Sequence, residues 1–308
     1  MYNASQTIVE TVNSVCKQSY TEIEIIIIDD ASTDNSLELL SQFKKPKIQI
    51  IQNKNNKGAS FCRNLGLKNS KGAFIQFVDS DDILHRDKIL NQINSIDLTD
   101  KNVLDSSILS SHFYYFDKTI SDKKSSKYEN NFRDYMPLEW LIAANYDKVM
   151  FPPIAWLIPK NIIEKAGFWD ESISYNDDTE FFCRVLLNAN KIVHVPESIC
   201  FYRTNNPNSY GSQRTKKAIL SEWKVNTCLV RHLLNAKNDD SIRKSLAYRI
   251  SKFYYSIYPE HHEIHKEIEN LLKDLNVEYP KIFGNGFFSK LAKLIGWKIT
   301  KRLHKLYK

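Results

Sequence analysis

An apolar segment that ends in clustered acids, FIQFVDSDD at residues 74–82, constrains most strongly how this chain can fold. Aromatic and branched residues in so short a run predict a buried strand. The three carboxylates that follow repel one another, and a hard divalent cation, which prefers oxygen ligands, would offset their charge. The segment therefore predicts either a Mg²⁺ or Mn²⁺ site for a diphosphate, or an acidic turn that caps a helix starting near Arg86.

A second strand-like segment, IEIIIIDD at residues 23–30, also ends in acids. Helical and strand patterns alternate through the first hundred residues with short connections, which predicts a three-layer α/β fold with a mostly parallel sheet. Ligands of open α/β sheets bind at the carboxyl ends of the strands. We therefore expect both acid clusters to face one cleft.

Composition narrows the class of protein. A length of 308 residues allows one large domain with an appendage. The five cysteines are odd in number and include no Cys-x-x-Cys pair, which argues against a disulfide framework or zinc site and for a reducing compartment. The first 20 residues lack a signal-peptide pattern, and no apolar run reaches the roughly 20 residues that span a bilayer.

Strand patterns disappear after about residue 210. Helical periodicity predicts helices near residues 212–235, 240–257 and 260–275. We therefore expect a catalytic domain over residues 1–210 and a helical region over residues 211–308.

Several short motifs follow one another in order along residues 1–204. They are Tyr2-Asn3, IDDASTD at 28–34, NxG at 56–58, RNxG at 63–66, VDSDD at 78–82, GFxDE at 167–171, and DDxxF at 177–181 with Arg184. In this order they resemble the family-2 glycosyltransferases of GT-A fold. The resemblance implies an inverting, metal-dependent transfer of one sugar from a UDP-sugar, and it does not identify the sugar or the acceptor.

The resemblance implies donor-binding roles for residues near the first acid cluster. Tyr2 would lie against the uracil ring, because a flat base favours an aromatic face. Asp30 would accept a hydrogen bond from the uracil imide. Asp29 would point into the fold, since successive strand residues face opposite sides. Arg63 would be a charged donor near the nucleotide or its diphosphate.

The resemblance also implies the metal ligands and the catalytic base. Asp79 would lie near the ribose and the metal, and Asp81 would be the principal ligand. Asp178 matches the general base, which takes a proton from the acceptor hydroxyl and typically contributes ~10²–10⁴-fold in rate. Asp177 stands where the family usually has Glu and is given a supporting role. The alternative for Asp177 and Asp178 is capping of the helix that they open.

Other side chains near these motifs have competing interpretations. His194 is interpreted as a packed histidine rather than a ligand. Trp156 and Trp169 would either line an acceptor pocket or pack in the core. Asn205 or Asn206 stands where the family often has a metal-proximal His, so water would complete the coordination. The QxxRW signature of processive relatives is absent from the sequence, which favours adding one sugar per encounter.

The start of the chain departs from the family pattern. A short apolar strand, central to the sheet, usually precedes the Tyr-Asn pair, and Met1 stands where that strand should end. A parallel sheet without a central strand would leave backbone groups unpaired. We therefore expect a truncated chain, through either a mis-called start codon or a deletion.

The C-terminal residues 287–308 carry seven Lys or Arg and no acid. Apolar residues on one helical face are Phe288, Leu291, Ala292, Ile295, Ile299, Leu303 and Leu306. A basic amphipathic helix is typical of binding to anionic membrane surfaces. The alternative is a helix that packs on its own domain, and Arg302 and Trp297 break the pattern. No nucleic-acid motif accompanies the charge, so we expect no nucleic-acid partner.

The resemblance implies an enzyme that adds one sugar to a glycan or lipid-linked acceptor in bacterial surface polysaccharide or lipopolysaccharide synthesis. It would lie in the cytoplasm, peripherally on the inner membrane. One alternative is a truncated, non-catalytic paralogue that binds partner proteins. Another is a nucleotidyltransferase, which would normally show a Gly-rich phosphate loop near the N-terminus.

Overall fold

The computed structural model describes residues 1–43, 48–100, 106–204, 215–277, 292 and 294–306. The chain forms two compact units. The first comprises Met1–Leu141 with Lys148–Gln213, and the second comprises Ile142–Asp147 with Arg214–Lys308. The boundary expected near residue 210 lies outside the described residues.

The first unit alternates strands and helices, as the sequence pattern predicts. Its strands are β1 (Ile25–Asp29), β2 (Ile48–Gln52), β3 (Phe74–Ile75), β4 (Ile83–Leu84), β5 (Ser107–Phe116), β6 (Lys124–Ser125), β7 (Trp156–Pro159) and β8 (Lys191–Arg203). The helices up to β8 are α1 (Ile8–Cys16), α2 (Ser36–Leu40), α3 (Ala59–Asn69), α4 (Lys88–Asn94), α5 (Pro137–Asn145), α6 (Lys160–Ala166) and α7 (Asp177–Leu187). Short 3₁₀ turns are Ile120–Asp122, Glu129–Asn131 and Pro153–Ala155.

The strands form two sheets. β1 and β2 pair in parallel, and the larger sheet has the order β3-β7-β5-β8-β4 with β6 beside β5. β5 and β8 are parallel and register over most of their length, with a bulge between Ser111 and His112. Each antiparallel pairing joins only two residue pairs. The α/β class is confirmed, and the sheet is mixed, with its long pairings parallel.

The strand expected at residues 74–79 is shorter in the structure, because its ladder with β7 covers only the two residues of β3. Among the described residues, no strand pairing joins β3 to β1. Met1 pairs with the end of β1: its amine donates to the Ile28 carbonyl at 2.6 Å, and Asp30 N donates to the Met1 carbonyl at 2.8 Å. The upstream strand stays a prediction.

The core of the first unit lies against the larger sheet. Ile108, Leu109 and Phe113 of β5 are fully buried, as expected for a central strand covered on both faces. Trp156 of β7 is fully buried and stacks on Phe182 of α7, with ring centroids 5.5 Å apart. Trp156 is therefore a core residue rather than part of an open acceptor pocket.

One lysine interrupts this apolar interior. Lys88 is fully buried, and its ammonium donates hydrogen bonds to Gln76 Oε1 and, at 2.8 Å, to Gln92 Oε1. Two neutral amide oxygens thus solvate the charge in place of water. Burial lowers the pKa of Lys88 to about 7.

We expect the stability of the wild-type chain, relative to Lys88→Met, to rise with pH above about pH 7. A lysine in the unfolded chain has a pKa of about 10.4. Between about pH 7 and that value, the unfolded chain therefore binds more protons than the folded chain. The difference should grow by up to about 1.4 kcal/mol per pH unit. Urea unfolding of both chains across this interval measures it, and a pH-independent difference would show that the pKa of Lys88 is unshifted.

The second unit is helical. Its helices are α8 (Lys216–Ala236), α9 (Asp240–Ile257), α10 (His265–Asp274) and α11 (Trp297–Leu306), with a 3₁₀ turn at His262–Ile264. The Thr215 side chain caps α8 and the Asp239 side chain caps α9. The predicted helical C-terminal region is confirmed for the described residues. None of the helices in those residues is both long enough and apolar enough to cross a membrane.

The C-terminal helix packs partly through a side chain that the sequence pattern had placed on the polar face. The ring of Trp297, expected on the polar face, contacts Tyr254 and Tyr258, with centroids 5.1 and 5.0 Å away. Ile295 and Ile299, expected on the packing or inserting face, are exposed. The part of the expected apolar face that precedes residue 292 lies outside the described residues.

Candidate active site

The acidic loop, defined as residues 79–82, lies between β3 and β4 and immediately precedes β4. Asp82 N donates to the Asp79 carbonyl at 3.2 Å and closes a turn. Thr7 Oγ1, just before α1, donates to the Ser80 carbonyl at 2.8 Å. The side chain of Asp79 is 39% exposed, whereas Asp82 is buried. The loop therefore combines an open carboxylate with an inward one.

The carboxylates of this loop crowd negative charge together, and one of their oxygens is buried without a hydrogen-bond partner among the described residues. Asp82 Oδ1 accepts the Arg203 backbone N–H at 2.9 Å, while its buried Oδ2 has no hydrogen-bond partner in the part of the chain that is described. Burial raises the pKa of Asp82 well above its usual range, and the neighbouring Asp79 and Asp81 carboxylates raise it further. A hard divalent cation would offset this charge, so the oxygen donors of Asp79 and Asp81 fit Mg²⁺ or Mn²⁺.

Arg63 of α3 connects the acidic loop to the start of α7. Its two terminal nitrogens donate to Asp79 Oδ1 and to Asp177 Oδ2, each at 2.9 Å. The guanidinium lies over the Trp169 ring, 4.4 Å from the centroid. Trp169 is buried and stacks on Phe181 at 4.0 Å. A rigid aromatic platform thus holds the arginine between two carboxylates.

The first turn of α7 carries the expected base. Asp177 Oδ2 also accepts from Ser60 Oγ at 2.7 Å, so this carboxylate contacts α3. Asp178 Oδ1 accepts from Thr179 N at 2.8 Å. Burial and, to a smaller extent, the Asp177 carboxylate raise the pKa of Asp178 to about 6, against the opposing effect of Arg63. A carboxylate with this pKa is ionised at neutral pH yet basic enough to accept a proton.

We expect Asp177→Asn to lower the pKa of Asp178, because it removes the adjacent negative charge. The asparagine oxygen can still accept from Ser60 and Arg63, so the local structure should persist. Titration of ¹³C-labelled carboxyl groups by NMR measures the pKa in both chains. An unchanged or higher pKa in Asp177→Asn would contradict this electrostatic assignment.

The residues that the sequence predicts to contact the nucleotide form a separate group. Tyr2 is 49% exposed, and the next residue is fixed because Asn3 Oδ1 accepts from Thr33 N at 2.8 Å. Asp29 is fully buried, in keeping with a side chain that points into the fold. These contacts hold Tyr2 as an exposed ring beside the carboxyl end of β1.

Asp30 already holds a loop of its own chain. Its Oδ1 accepts from Asn53 Nδ2 at 2.8 Å and from Lys57 N at 2.9 Å, and its Oδ2 accepts from Gly58 N at 2.8 Å. The side chain is 4% exposed. A uracil imide would therefore have to share an oxygen that the Gly58 amide contacts.

The sequence matches a known protein family over about half of its length. The family model described as Glycosyl transferase family 2 matches residues 1–158. The chain belongs to glycosyltransferase family 2. The glycosyltransferase GlyG of Streptococcus pneumoniae serotype 4 is 30% identical over 213 residues, which is 66% of this chain and 68% of that relative.

Two further comparisons bear on the extent and the fold of this glycosyltransferase. The Escherichia coli enzyme UDP-Glc:alpha-D-GlcNAc-diphosphoundecaprenol beta-1,3-glucosyltransferase WfaP is 46% identical over 93 residues, 30% of this chain and only 37% of that relative. The crystal structure of Staphylococcus aureus TarS 1-349 in complex with UDP has a TM-score of 0.68 at 16% identity, covering 100% of this chain and 90% of that one. The GT-A fold is confirmed.

The structure of this family-2 glycosyltransferase brings some expected residues together. Arg63 joins Asp79 and Asp177 directly, and Asp178 follows in the same helical turn. Tyr2 and Asp30 belong to the neighbouring group at the end of β1. Asn205 and Asn206 lie outside the described residues.

His194 and Trp169 have structural roles in the glycosyltransferase. The His194 ring packs against Phe132 and Phe151 and is hydrogen-bonded through Nδ1 to Ser110 Oγ at 3.1 Å. Burial and, to a smaller extent, the neighbouring His112 lower the pKa of His194 to about 4. The interpretation of His194 as a packed histidine is confirmed. Trp169 is buried and supports Arg63 rather than lining an open pocket.

Sequence reasoning missed three contributors to this site: Thr7, Ser60 and Arg203. Each of them contacts a residue of the acidic loop or of the α7 turn from a distant part of the chain. A hydroxyl just before a helix or in its first turn is usually a cap, so Thr7 and Ser60 gave no signal of their own. The stretch YRTN at residues 202–205 was the available signal for Arg203.

Proposed function

We propose that this chain transfers a single sugar from a UDP-sugar to a glycan or lipid-linked acceptor, with inversion, in bacterial surface polysaccharide or lipopolysaccharide synthesis. The observation that carries the proposal is the pair of hydrogen bonds from the Arg63 guanidinium to Asp79 and Asp177. These bonds bring the acidic loop close to the helical turn that carries Asp178. The UDP-Glc donor and the diphosphoundecaprenol-linked acceptor in the name of WfaP, and the UDP in the TarS complex, support the substrate classes.

The donor would bind to the residues at the end of β1 and to the acidic loop. Tyr2 would stack on uracil, and Asp30 would accept from the imide N–H through its oxygen near Gly58. Arg63 would donate to the diphosphate, and Asp79 would lie near the ribose. A Mg²⁺ or Mn²⁺ ion, held mainly by Asp81 with Asp79, would neutralise the charge that develops on the departing UDP.

Asp178 would act as the general base. Its carboxylate accepts the proton of an acceptor hydroxyl while that oxygen forms a bond to the anomeric carbon. The bond from the anomeric carbon to UDP breaks on the opposite face, so one displacement inverts the configuration. Asp177, held by Ser60 and Arg63, supports the base by keeping the first turn of α7 in place.

A thermal-shift measurement tests donor recognition without knowledge of the acceptor. A ligand that binds only the folded state raises its stability by mass action, by about 2.7 kcal/mol at 100 times its Kd. We expect UDP with Mn²⁺ to raise the Tm more than UDP with EDTA, and more than CDP with Mn²⁺, because cytosine lacks the imide N–H. Equal Tm values for UDP and CDP would remove the role of Asp30, and no shift with any UDP-sugar would favour the non-catalytic alternative.

We further propose that residues 287–308 contact an anionic membrane, which would place the enzyme peripherally on the cytoplasmic face of the inner membrane. Among the described residues of this segment, Leu294 is 83% exposed and Ile299 is 53% exposed. The same segment is rich in Lys and Arg and has no acid. Apolar insertion together with attraction to anionic lipid is the mode that fits this surface.

Vesicle sedimentation tests the membrane proposal. We expect the protein to sediment with phosphatidylglycerol vesicles and not with phosphatidylcholine vesicles. Ile299→Asp should weaken the binding, whereas Leu220→Asp, at an exposed apolar position of α8, should leave it unchanged. Equal sedimentation of the Ile299→Asp and wild-type proteins would favour a helix that only packs on its own unit.

A further inference from the structure

The Arg203 side chain, at the end of β8, is 9% exposed and contacts the backbone of the acidic loop. Its Nε donates to the Asp81 carbonyl at 2.8 Å, and its own backbone N–H donates to Asp82 Oδ1 at 2.9 Å. Another guanidinium nitrogen donates to Glu10 Oε2 of α1 at 2.7 Å. One residue therefore holds two consecutive residues of the loop and ties them to α1.

The remaining donors of Arg203 are also engaged. The third guanidinium nitrogen contacts the Asp117 carbonyl at 2.9 Å and the Lys118 carbonyl at 3.1 Å, just after β5. The guanidinium plane lies over the Phe116 ring, 4.2 Å from its centroid. Only a planar fork with five N–H donors can satisfy acceptors in so many directions, so lysine cannot replace it.

The other side of the loop is held from the same helix. Thr7, which immediately precedes α1, donates to the Ser80 carbonyl, and Glu10 in the first turn of α1 pairs with Arg203. Groups outside the acidic loop thus fix its backbone at Ser80 and Asp81 and the side chain of Asp82. These contacts use backbone oxygens and the inward Asp82 carboxylate, and they leave the loop's like charges close together.

We propose that Arg203 is a positioning residue for the divalent cation of the transferase. By fixing the Asp81 backbone and the Asp82 carboxylate, it holds the carboxylates of Asp79 and Asp81 together at the cost of their mutual repulsion. The Glu10–Arg203 ion pair also connects the acidic loop to α1. The residues just before α1 lead back to Tyr2. This inference rests on the proposed function, since it requires that the loop bind a metal.

The test is the affinity of Arg203→Lys for Mn²⁺ in the presence of UDP, measured by electron paramagnetic resonance. Loss of a residue that orients metal ligands typically costs about 10–100-fold in metal affinity, and we expect a loss in that range. UDP binding without metal should stay the same. A role in overall stability alone would change the Tm and leave the Mn²⁺ affinity of the folded protein unaltered.

Two further variants control for folding and for charge. Arg133→Lys is the matched control, because Arg133 also pairs with a carboxylate, Glu139, and lies over an aromatic ring, Tyr135, but on the surface. It should bind Mn²⁺ as the wild type does. Glu10→Gln keeps an acceptor for Arg203 and removes the charge, so it should fold even if Arg203→Lys does not, and it should weaken Mn²⁺ binding less than Arg203→Lys.

The outcomes separate this inference from the proposed function. If the wild type binds Mn²⁺ with UDP and folded Arg203→Lys binds it equally well, the positioning role is wrong and the proposed function stands. If Arg203→Lys does not fold and Glu10→Gln binds Mn²⁺ as the wild type does, the positioning role is also wrong. If the wild type itself binds no Mn²⁺, the metal-dependent function fails, and the positioning role fails with it.

Discussion

Asp178→Asn is expected to lower kcat by ~10²–10⁴-fold, with little change in the KM for the UDP-sugar. Asparagine has nearly the size of aspartate and can keep the contact with Thr179 N, but it cannot accept the proton of the acceptor hydroxyl. The residues proposed to bind the donor, at the end of β1 and in the acidic loop, are unchanged in this variant. The measurement is steady-state UDP formation, with Asp134→Asn, a surface carboxylate paired with Lys191, as the control.

The same assignment predicts the pH dependence of the wild type. Burial and Asp177 raise the pKa of Asp178 to about 6, so the carboxylate is lost as the pH falls through that value. Because kcat/KM reports groups of the free enzyme, it should fall on the acid side of about pH 6 and be flat just above it. A loss of kcat/KM with a midpoint near 4 would show that the base has an ordinary pKa. A kcat of Asp178→Asn within a few-fold of wild type would remove Asp178 as the base.

Asp81→Asn is expected to lower the affinity for Mn²⁺ in the presence of UDP by at least about 100-fold. Changes in residues that only orient metal ligands already cost about 10–100-fold, so loss of the principal ligand should exceed that range. Removing one charge from the acidic loop also relieves repulsion, because Asp81 raises the pKa of the buried Asp82. We therefore expect the metal-free variant to have a Tm at least as high as that of the wild type.

This pairing of effects separates loss of function from loss of fold. Isothermal titration with Mn²⁺ and UDP measures the first effect, and thermal unfolding in EDTA measures the second. Asp97→Asn, at an exposed acid whose contacts to Thr99 are local, is the matched control and should leave both unchanged. Wild-type Mn²⁺ affinity in Asp81→Asn would show that the loop is only an acidic turn.

The sequence pattern predicts the parts of this protein that depend on neighbours along the chain. Acids at the end of an apolar segment marked the acidic loop, and paired acids before an apolar helix face marked the start of α7. The alternation of helices and strands also indicated the α/β class. These features depend on side-chain periodicity and helix-end chemistry, which local sequence carries directly.

The parts that the sequence does not reveal are long-range contacts. Arg203 and Asp81 are 122 residues apart, and Ser60 and Asp177 are 117 apart. No periodicity links such positions, because strand order and helix docking bring them together. The short ladder of β3 has the same cause, since a strand extends only where a neighbouring strand supplies hydrogen-bond partners.

The C-terminal helix shows where periodicity is ambiguous. The apolar stripe through Ile295 and Ile299 predicted either a membrane-inserting face or a face packed on its own domain, and both side chains are exposed in the structure. Trp297 packs against Tyr254 of α9 and Tyr258 just after it, because aromatic pairing adds to the free energy of burying apolar area. The outward Ile299 leaves an apolar surface available to the membrane contact proposed above.

The most direct test of the central claim is UDP release from a panel of UDP-sugars, with water or a lipid-linked sugar diphosphate as acceptor. We predict that the wild type with Mn²⁺ releases UDP from at least one donor, and that EDTA, Asp81→Asn and Asp178→Asn each suppress the release. Release of UDP from no donor, or release at equal rates from the wild type and both variants, would contradict the account.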